Sequence, residues 1–343
     1  MTEHNIVSIS KVKNNQLFDF YQKVFKNRYR TLSKFWKWWY RSNYLGFEPL
    51  VLIEKNKIIG QAGLIPTKIQ LKQKIYPAIW FVDFAVLPEY QGKGIGKVLT
   101  KKWMNICPNQ ITFCNDRSLK IFKDFGWKEN FSSKRLAKPI SPTKWLPLNK
   151  FFKFNFVNSF YRNLLKKKFN DNNSSNLYSF KNNYKIIFDS FEKRKVENTE
   201  YPKILRDENW LNWRIAECPF NKNIYFFEYK GNFALVHLIN SKNVKRLHIL
   251  YTFYLNDSHE EDLLLSILKW SINNSIDLVW ANSSDREQIK KYKKNFSNYF
   301  TKSMNFASWS SDANLHKMLQ AGLVNSQGID SDNDIHMLDD NYL

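Results

Sequence analysis

Two features of the chain have residue types and a spacing that could do chemistry. The first is the run Gln91-Gly92-Lys93-Gly94-Ile95-Gly96, continued by Lys97. Glycines let a backbone approach a phosphate closely, and the first N–H groups of a helix have no acceptor of their own. Lys93 and Lys97 add positive charge, so the run is an expected anion site. The second is Asp83, a lone carboxylate in the apolar run 79–87. A carboxylate among apolar residues is costly unless it is paired or used, and burial would make it a better base. Two readings stand open: a general base or anchor for a cationic acceptor, or a strand residue bonded to a neighbouring Tyr, Trp or Lys.

The elements that must position these residues can be read around them. The run 79–87 is too short to span a membrane and ends at Pro88, so it reads as a buried strand. From Lys97 to Asn105 the apolar positions Val98, Leu99, Trp103 and Met104 have helical spacing. A strand, a glycine-rich loop and a helix start therefore follow one another. The loop lacks the G-x-x-x-x-G-K-[ST] of a P-loop and the G-x-G-x-x-G of a dinucleotide fold.

With Val86-x-Pro88 before it, the stretch resembles the pyrophosphate loop of the GNAT superfamily of N-acetyltransferases. There a strand ending V-x-P is followed by [QR]-x-x-G-x-[GA] opening a helix, and Val86, Pro88, Gln91, Gly94 and Gly96 fill that pattern. The resemblance implies acetyl-CoA as co-substrate, with the backbone of Gly92, Lys93, Gly94, Ile95, Gly96 and Lys97 on its pyrophosphate. It implies that Val86 and Leu87 pair with pantetheine and that Asn115 bonds it from the other side. The segment 115–127 resembles the family's next helix through Asn115, Ser118, Ile121, Gly126 and Trp127. Where the family often has a Tyr that protonates the leaving thiolate, this chain has Phe122, which keeps the packing and loses the proton. Ser118 or a water is then the substitute acid, or the thiolate leaves unassisted. Asp83 stands eight residues before Gln91, the place of an aspartate in aminoglycoside-modifying members.

The 343 residues are enough for two domains, and 43% hydrophobic residues are ample for packed cores. Lys+Arg 53 against Asp+Glu 31 gives +22, which suits a polyanionic or phosphorylated partner. Cys107, Cys114 and Cys218 are odd in number and form no CxxC, which argues against disulfide scaffolds and zinc sites and for a reducing compartment. There is no apolar signal core and no run of 18 apolar residues. The expectation is a cytoplasmic protein with no transmembrane segment. Asp330, Asp332, Asp334 and His336 lack EF-hand spacing, so no metal is expected.

The expected fold class is α+β, as tandem acetyltransferase folds, each a mixed, mostly antiparallel sheet flanked by helices. Residues 1–139 are the expected catalytic domain, closed by a strand over 132–139. Residues 140–200 read as a basic aromatic linker, in which Phe152, Phe156, Phe160 and Leu164 are spaced four apart near Lys166, Lys167 and Lys168. Such a stripe either lies on a membrane surface or packs on its own protein, the reading preferred here. Residues 201–312 repeat the first domain: at an offset of 175, Trp38 faces Trp213, and at 167, Trp103 faces Trp270. The repeat has lost the loop, with His259, Glu260, Glu261 and Asp262 in its place. Residues 313–343 read as an acidic, mobile tail. The expected activity is acetyl transfer to the primary amine of a small acceptor, an amino sugar on a nucleotide carrier being preferred. The alternatives are an aminoacyl transferase of the peptidoglycan-bridge kind and a non-catalytic nucleic-acid binder with a vestigial CoA site. The intact loop argues against the first, and nucleic acid is not the expected partner.

Overall fold

The computed structural model describes residues 5–26, 28–41, 44–130, 133–145, 155–169, 176–179, 188–189, 201–230, 232–241, 243–253, 259–295, 300–321 and 326–330. The N-terminal half runs β1 (Asn5–Ser8), α1 (Asn14–Val24), α2 (Tyr29–Trp39), β2 (Leu50–Glu54), β3 (Lys57–Leu71), β4 (Lys74–Val86), α3 (Ile95–Met104), β5 (Asn109–Cys114), α4 (Asp116–Asp124) and β6 (Lys128–Asn130). Its hairpins follow from local chemistry. Lys55 and Asn56 both have positive φ, the two-residue turn that matches strand twist. The second half runs β7 (Lys134–Pro139), α5 (Pro142–Trp145), α6 (Asn155–Lys168), β8 (Asn176–Ser179), β9 (Lys203–Ile204), α7 (Glu208–Leu211), β10 (Ile224–Tyr229), β11 (Asn232–Ser241), β12 (Val244–Phe253), α8 (Glu260–Asn273), β13 (Leu278–Ser283), α9 (Arg286–Asn295), β14 (Phe300–Ser303), β15 (Asn305–Ser310) and α10 (Ala313–Gln320).

The fold is α+β, with two mixed sheets flanked by helices. One sheet has the order β1-β2-β3-β4-β5-β15-β6, with β9 beside β3, and the other the order β14-β7-β13-β12-β11-β10-β8. The halves have therefore exchanged a strand. The strand expected to close the first sheet, β7, lies between β13 and β14 of the second, and β15 takes its place between β5 and β6. The registers mirror one another: Asn305↔Cys114 through Ser310↔Asn109 in one sheet, Lys134↔Ser283 through Pro139↔Leu278 in the other. The physical reason is the length of the connection. Only Met304 separates β14 from β15, and one residue cannot turn a hairpin, so the chain must continue into the other sheet. The two crossings meet, Met304 N–H donating to the Ser133 carbonyl at 3.0 Å.

A second pair marks the same symmetry. Trp38 Nε1 donates to the Trp213 carbonyl at 2.8 Å, and Trp213 Nε1 donates to the Trp38 carbonyl at 2.6 Å. Reciprocal contacts of this kind are what a two-fold axis produces. One continuous core runs through both halves, from Trp36 and Trp39 to Trp210, Phe226 and Tyr251.

Two expectations change, on the α6 stripe and on the tail. Phe156, Phe160 and Leu164 on α6 are exposed rather than packed, while Asn158 and Leu165 turn inward; Phe152 lies outside the described residues. The tail is ordered well past Ala313: α10 packs on β15, and Ile329 is buried. Asp330 is paired with Arg206, whereas Asp332, Asp334 and His336 lie outside the described residues.

The exchanged strand carries a buried cation. Lys138 on β7 is 1% exposed. Burial, with Lys168 adding repulsion, pushes its ammonium down to about 8 from 10.5. Between those two values the unfolded chain holds more protons than the native one, so stability rises with pH there. Below pH 8 the native state carries the buried charge at a cost of about 3 kcal/mol. Lys138→Met is expected to gain about that much at pH 7 and little near pH 10.5. Urea unfolding at both pH values checks this; an equal gain at both would locate the effect in packing rather than charge.

Candidate active site

β4 and β5 run parallel and pair only at Ile79↔Gln110, Trp80↔Ile111 and Phe81↔Thr112. Beyond Phe81 the two strands part. The cause sits on β4, whose register with β3 shifts between Gly63↔Val82 and Gln61↔Ala85. Asp83 is the bulged residue, with φ +51. A bulge bends its strand and leaves one residue out of the ladder. Gly63 lets it form, because a Cβ there would come within 2.6 Å of the Val82 carbonyl.

The parting opens a cleft of about 920 Å3. Phe81, Asp83 and Phe84 form one side, and Cys114, Ser118 and Phe122 another. Lys26 and Arg28 come from the α1–α2 connection, Arg135 from β7, and Lys302 and Asn305 from the β14–β15 crossing. Through the strand exchange, the C-terminal half thus supplies a wall of the N-terminal cleft.

The glycine loop follows at the end of β4. Gly92 and Gly94 both have φ +79, which L side chains rarely adopt. Gly96 is required for space: a Cβ would lie 2.9 Å from Ile121 Cδ1 and 3.2 Å from Phe84 Cζ. Gly94 caps α3, and its carbonyl accepts from Lys97 N–H at 3.0 Å and Val98 N–H at 3.2 Å. The N–H groups of Ile95 and Gly96, ahead of them, face out of the helix start. Gln91 braces the strand end, its Nε2 donating to the Val86 carbonyl at 3.1 Å. Tyr90 hydroxyl donates to Glu54 at 2.6 Å, anchoring the loop on β2. Leu87 is buried and its N–H is taken by the Ile59 carbonyl at 2.9 Å, so that N–H is committed to β3. Lys97 pairs with Asp124 at 2.7 Å, and Lys93 lies 5.0 Å over the Tyr90 ring.

Asp83 is placed differently from a free base. Its side chain is 1% exposed and pairs with buried Arg28. Oδ2 also accepts from Trp39 Nε1 at 2.8 Å and Tyr40 hydroxyl at 3.0 Å. Gln61 ties this group to Tyr21, whose hydroxyl donates to Gln61 Oε1 at 2.9 Å. Burial pushes the Tyr21 phenol well above its ordinary range. The partners lie on α2 and at its two ends, more than forty positions away in sequence. The clue available was the aromatic density of 35–40.

On α4, Ser118 and Phe122 are one turn apart and both line the cleft. Phe122 is 0% exposed and stacks on Trp127 at 4.9 Å. Ser118 thus presents the hydroxyl on that face. Asn115 caps α4, its Oδ1 accepting from Ser118 N–H at 3.0 Å, which leaves its amide NH2 as the donor toward the cleft. Burial, then Glu129 and Asp116, pushes the Cys114 thiol up to about 12. It stays protonated near neutral pH and is a poor nucleophile.

In the second half, β12 and β13 also run parallel and part after Ile249↔Ala281. Their opening is filled. Thr252 N–H donates to Gln327 Oε1 at 3.0 Å, Ser283 bridges Gln327, and a Cβ on Gly328 would lie 2.5 Å from the Ile249 carbonyl. The first turn of α8 is also committed: Glu260 pairs with Lys291, and Glu261 with Lys294 at 3.2 Å.

Residues 5–129 match the family model described as an acetyltransferase (GNAT) domain. No curated protein matches the chain. Similar solved structures include a conserved protein of unknown function from Enterococcus faecalis V583, a probable N-acyltransferase, at 10% identity and TM-score 0.58, over 90% of this chain and 72% of that one. A GCN5-related N-acetyltransferase from Kribbella flavida matches at 11% identity and TM-score 0.58, over 91% and 72%. Saccharomyces cerevisiae N-myristoyltransferase with bound myristoyl-CoA matches at 10% identity and TM-score 0.58, over 90% and 78%. At these identities the likeness is one of fold, and it extends over both sheets. Among the described residues no helix is long and apolar enough to cross a membrane. Residues 5–129, which carry the parting strands and the glycine loop, belong to the GNAT superfamily of acetyltransferases.

Proposed function

We propose that the chain transfers an acyl group from acyl-CoA, with acetyl-CoA the expected donor, to the primary amine of a small acceptor. The observation that carries this is the parting of β4 and β5 directly before a glycine loop at a helix start. The loop suits a pyrophosphate, and the opening suits an extended arm laid beside β4. The bulge at Asp83 leaves main-chain polar groups out of the ladder where the thioester carbonyl would lie. In the step itself the amine nitrogen attacks the thioester carbon. The C–N bond forms, the C–S bond breaks, and the ammonium proton passes to water. The Ser118 hydroxyl stands on the face where the thiolate leaves. Cys114, held as a thiol, makes direct transfer the route rather than an acyl-cysteine. Most of the rate then comes from positioning.

The halves are read as tandem copies of which only the first is open. One acetyl-CoA is therefore expected to bind per chain, because Gln327 and Gly328 occupy the second opening. Titration calorimetry tests this, with thiol release from acetyl-CoA measured across a panel of amines. Two equivalent sites would overturn the filled-cleft argument, and no binding would overturn the donor.

A further inference from the structure

Helix α6 is held to the protein by one face and presents an apolar stripe on the opposite one. On the held face, Asn158 Oδ1 accepts from Thr143 N–H at 3.1 Å. Arg162 donates to the Ser141 hydroxyl at 2.9 Å and pairs with Asp277 at 3.5 Å, and Leu165 is buried. These residues recur at spacings of four and three, one side of a helix, and that side packs on α5 and α8. Phe156, Phe160 and Leu164 recur at four on the other side and are 79%, 57% and 47% exposed. The two rings stack 6.4 Å apart. A helix of a globular protein ordinarily turns its apolar stripe to the core. Here the stripe faces out while polar bonds fix the helix in place. The charge on α6 has one sign. The helix contains no Asp or Glu, and Lys166 and Lys167 are exposed at the end of the stripe. Lys167 lies two turns beyond Phe160 and so in line with it. Asp277, the carboxylate bonded to the held face, is 1% exposed and already shared by Lys144 and Arg162.

We infer that α6 is a membrane-surface helix, which lies flat on a bilayer containing anionic lipid. Phe156, Phe160 and Leu164 enter the boundary between headgroups and acyl chains, and Lys166 and Lys167 stand on the headgroups. Two observations select this occupant. The first is charge, since a basic helix end without carboxylates complements a negative lipid surface. The second is area. With Val157 beside them, the exposed apolar side chains offer on the order of 400 Å2. That is about half of the ~800 Å2 each partner gives to a standard protein interface. The aromatic rings supply apolar burial, while the lysine stems follow the same surface and keep their ammonium groups in the headgroup layer. The association is peripheral, because among the described residues no helix is long and apolar enough to cross a membrane. The inference does not depend on the acyl-transfer reading.

The full chain is mixed with vesicles of equimolar phosphatidylcholine and phosphatidylglycerol, or of phosphatidylcholine alone, and the bound fraction is read by flotation. The parent is expected to bind the anionic vesicles at least about tenfold more tightly than the neutral ones. Phe156→Ser/Phe160→Ser is expected to bind the anionic vesicles on the order of 10²-fold more weakly, at low and high salt alike. Lys166→Gln/Lys167→Gln is expected to lose about tenfold or more at low salt and little at high salt, where screening removes the attraction. All four side chains are exposed, so the substitutions leave the fold intact, which an unchanged melting temperature checks. The chain carries +22, so charge alone draws it to anionic vesicles, and the Phe variant separates that attraction from insertion. Binding by the Phe variant equal to the parent's at both salt concentrations overturns the inference and leaves only diffuse charge. Failure of the parent to bind the anionic vesicles also overturns it. Lipid-free self-association that the Phe variant abolishes, without vesicle binding by the parent, would instead make the stripe an interface between copies of the chain.

Discussion

Asp83→Asn is expected to lower stability by about 3–5 kcal/mol, because it leaves the Arg28 guanidinium buried without its counter-charge. Arg28 is 5% exposed and its partner carboxylate 1%, so water cannot make up the loss. The substitution isolates the charge. Asn tolerates positive φ about as well as Asp, so the φ of +51 at the bulge adds no new strain. The amide oxygen still accepts from Trp39 and Tyr40. A melting temperature lower by on the order of 10 °C is the expected reading. The double variant Arg28→Gln/Asp83→Asn should recover part of that, since removing both charges avoids the orphan. A general base would behave otherwise. If Asp83→Asn melts within about a degree of the parent yet loses on the order of 10²-fold in kcat/KM, Asp83 works on the acceptor proton and the buried-pair account fails.

The strand, glycine loop and helix start around Gly94 could be read from the sequence because each is a local matter. Turn residues, apolar runs and glycine positions act within a few positions of one another. Asp83 shows the limit of such reading. Its identity is visible, but its role depends on Arg28, Trp39 and Tyr40, which reach it only after α2 has packed beside β4. The strand exchange was hidden for a related reason. Residues 134–139 have the composition of a strand, and composition does not say which sheet will receive it. The clue was the single residue Met304 between two strands, and it becomes readable only once β14 and β15 are known to be separate. The correspondence at an offset of 175 was visible through Trp38 and Trp213, yet their mutual contact was not, because periodicity reports likeness and not proximity. The filling of the second opening by Gln327 and Gly328 left no pattern beyond a lone glycine. The loss of charge-compatible loop residues at Glu260 and Glu261 pointed to the same conclusion by a weaker route, since those acids are also tied to lysines of α9.

Gly94→Asp is expected to abolish acetyl-CoA binding in a folded protein. Gly94 has φ +79, and nothing lies within 4 Å of the position a Cβ would take. The side chain therefore meets open space rather than the core, and the cost to the fold is the left-handed backbone alone, about 1 kcal/mol. The added carboxylate would stand beside the free N–H groups that open α3. Against a pyrophosphate about 5 Å away at an effective dielectric near 20, repulsion is about 3 kcal/mol per charge pair, on the order of 10²-fold in affinity. Gly94→Ala is the control, because it puts a Cβ at the same left-handed position without the charge, at a backbone cost no smaller than that of Asp. Gly96→Ala is not, since its Cβ would press on Ile121 and Phe84 and shift α3 against α4 and β4. Dissociation constants are compared at low and high salt. The gap between the Asp and Ala variants should narrow as salt screens the repulsion. An acetyl-CoA affinity for Gly94→Asp equal to that of Gly94→Ala at low salt would place the pyrophosphate somewhere other than this loop.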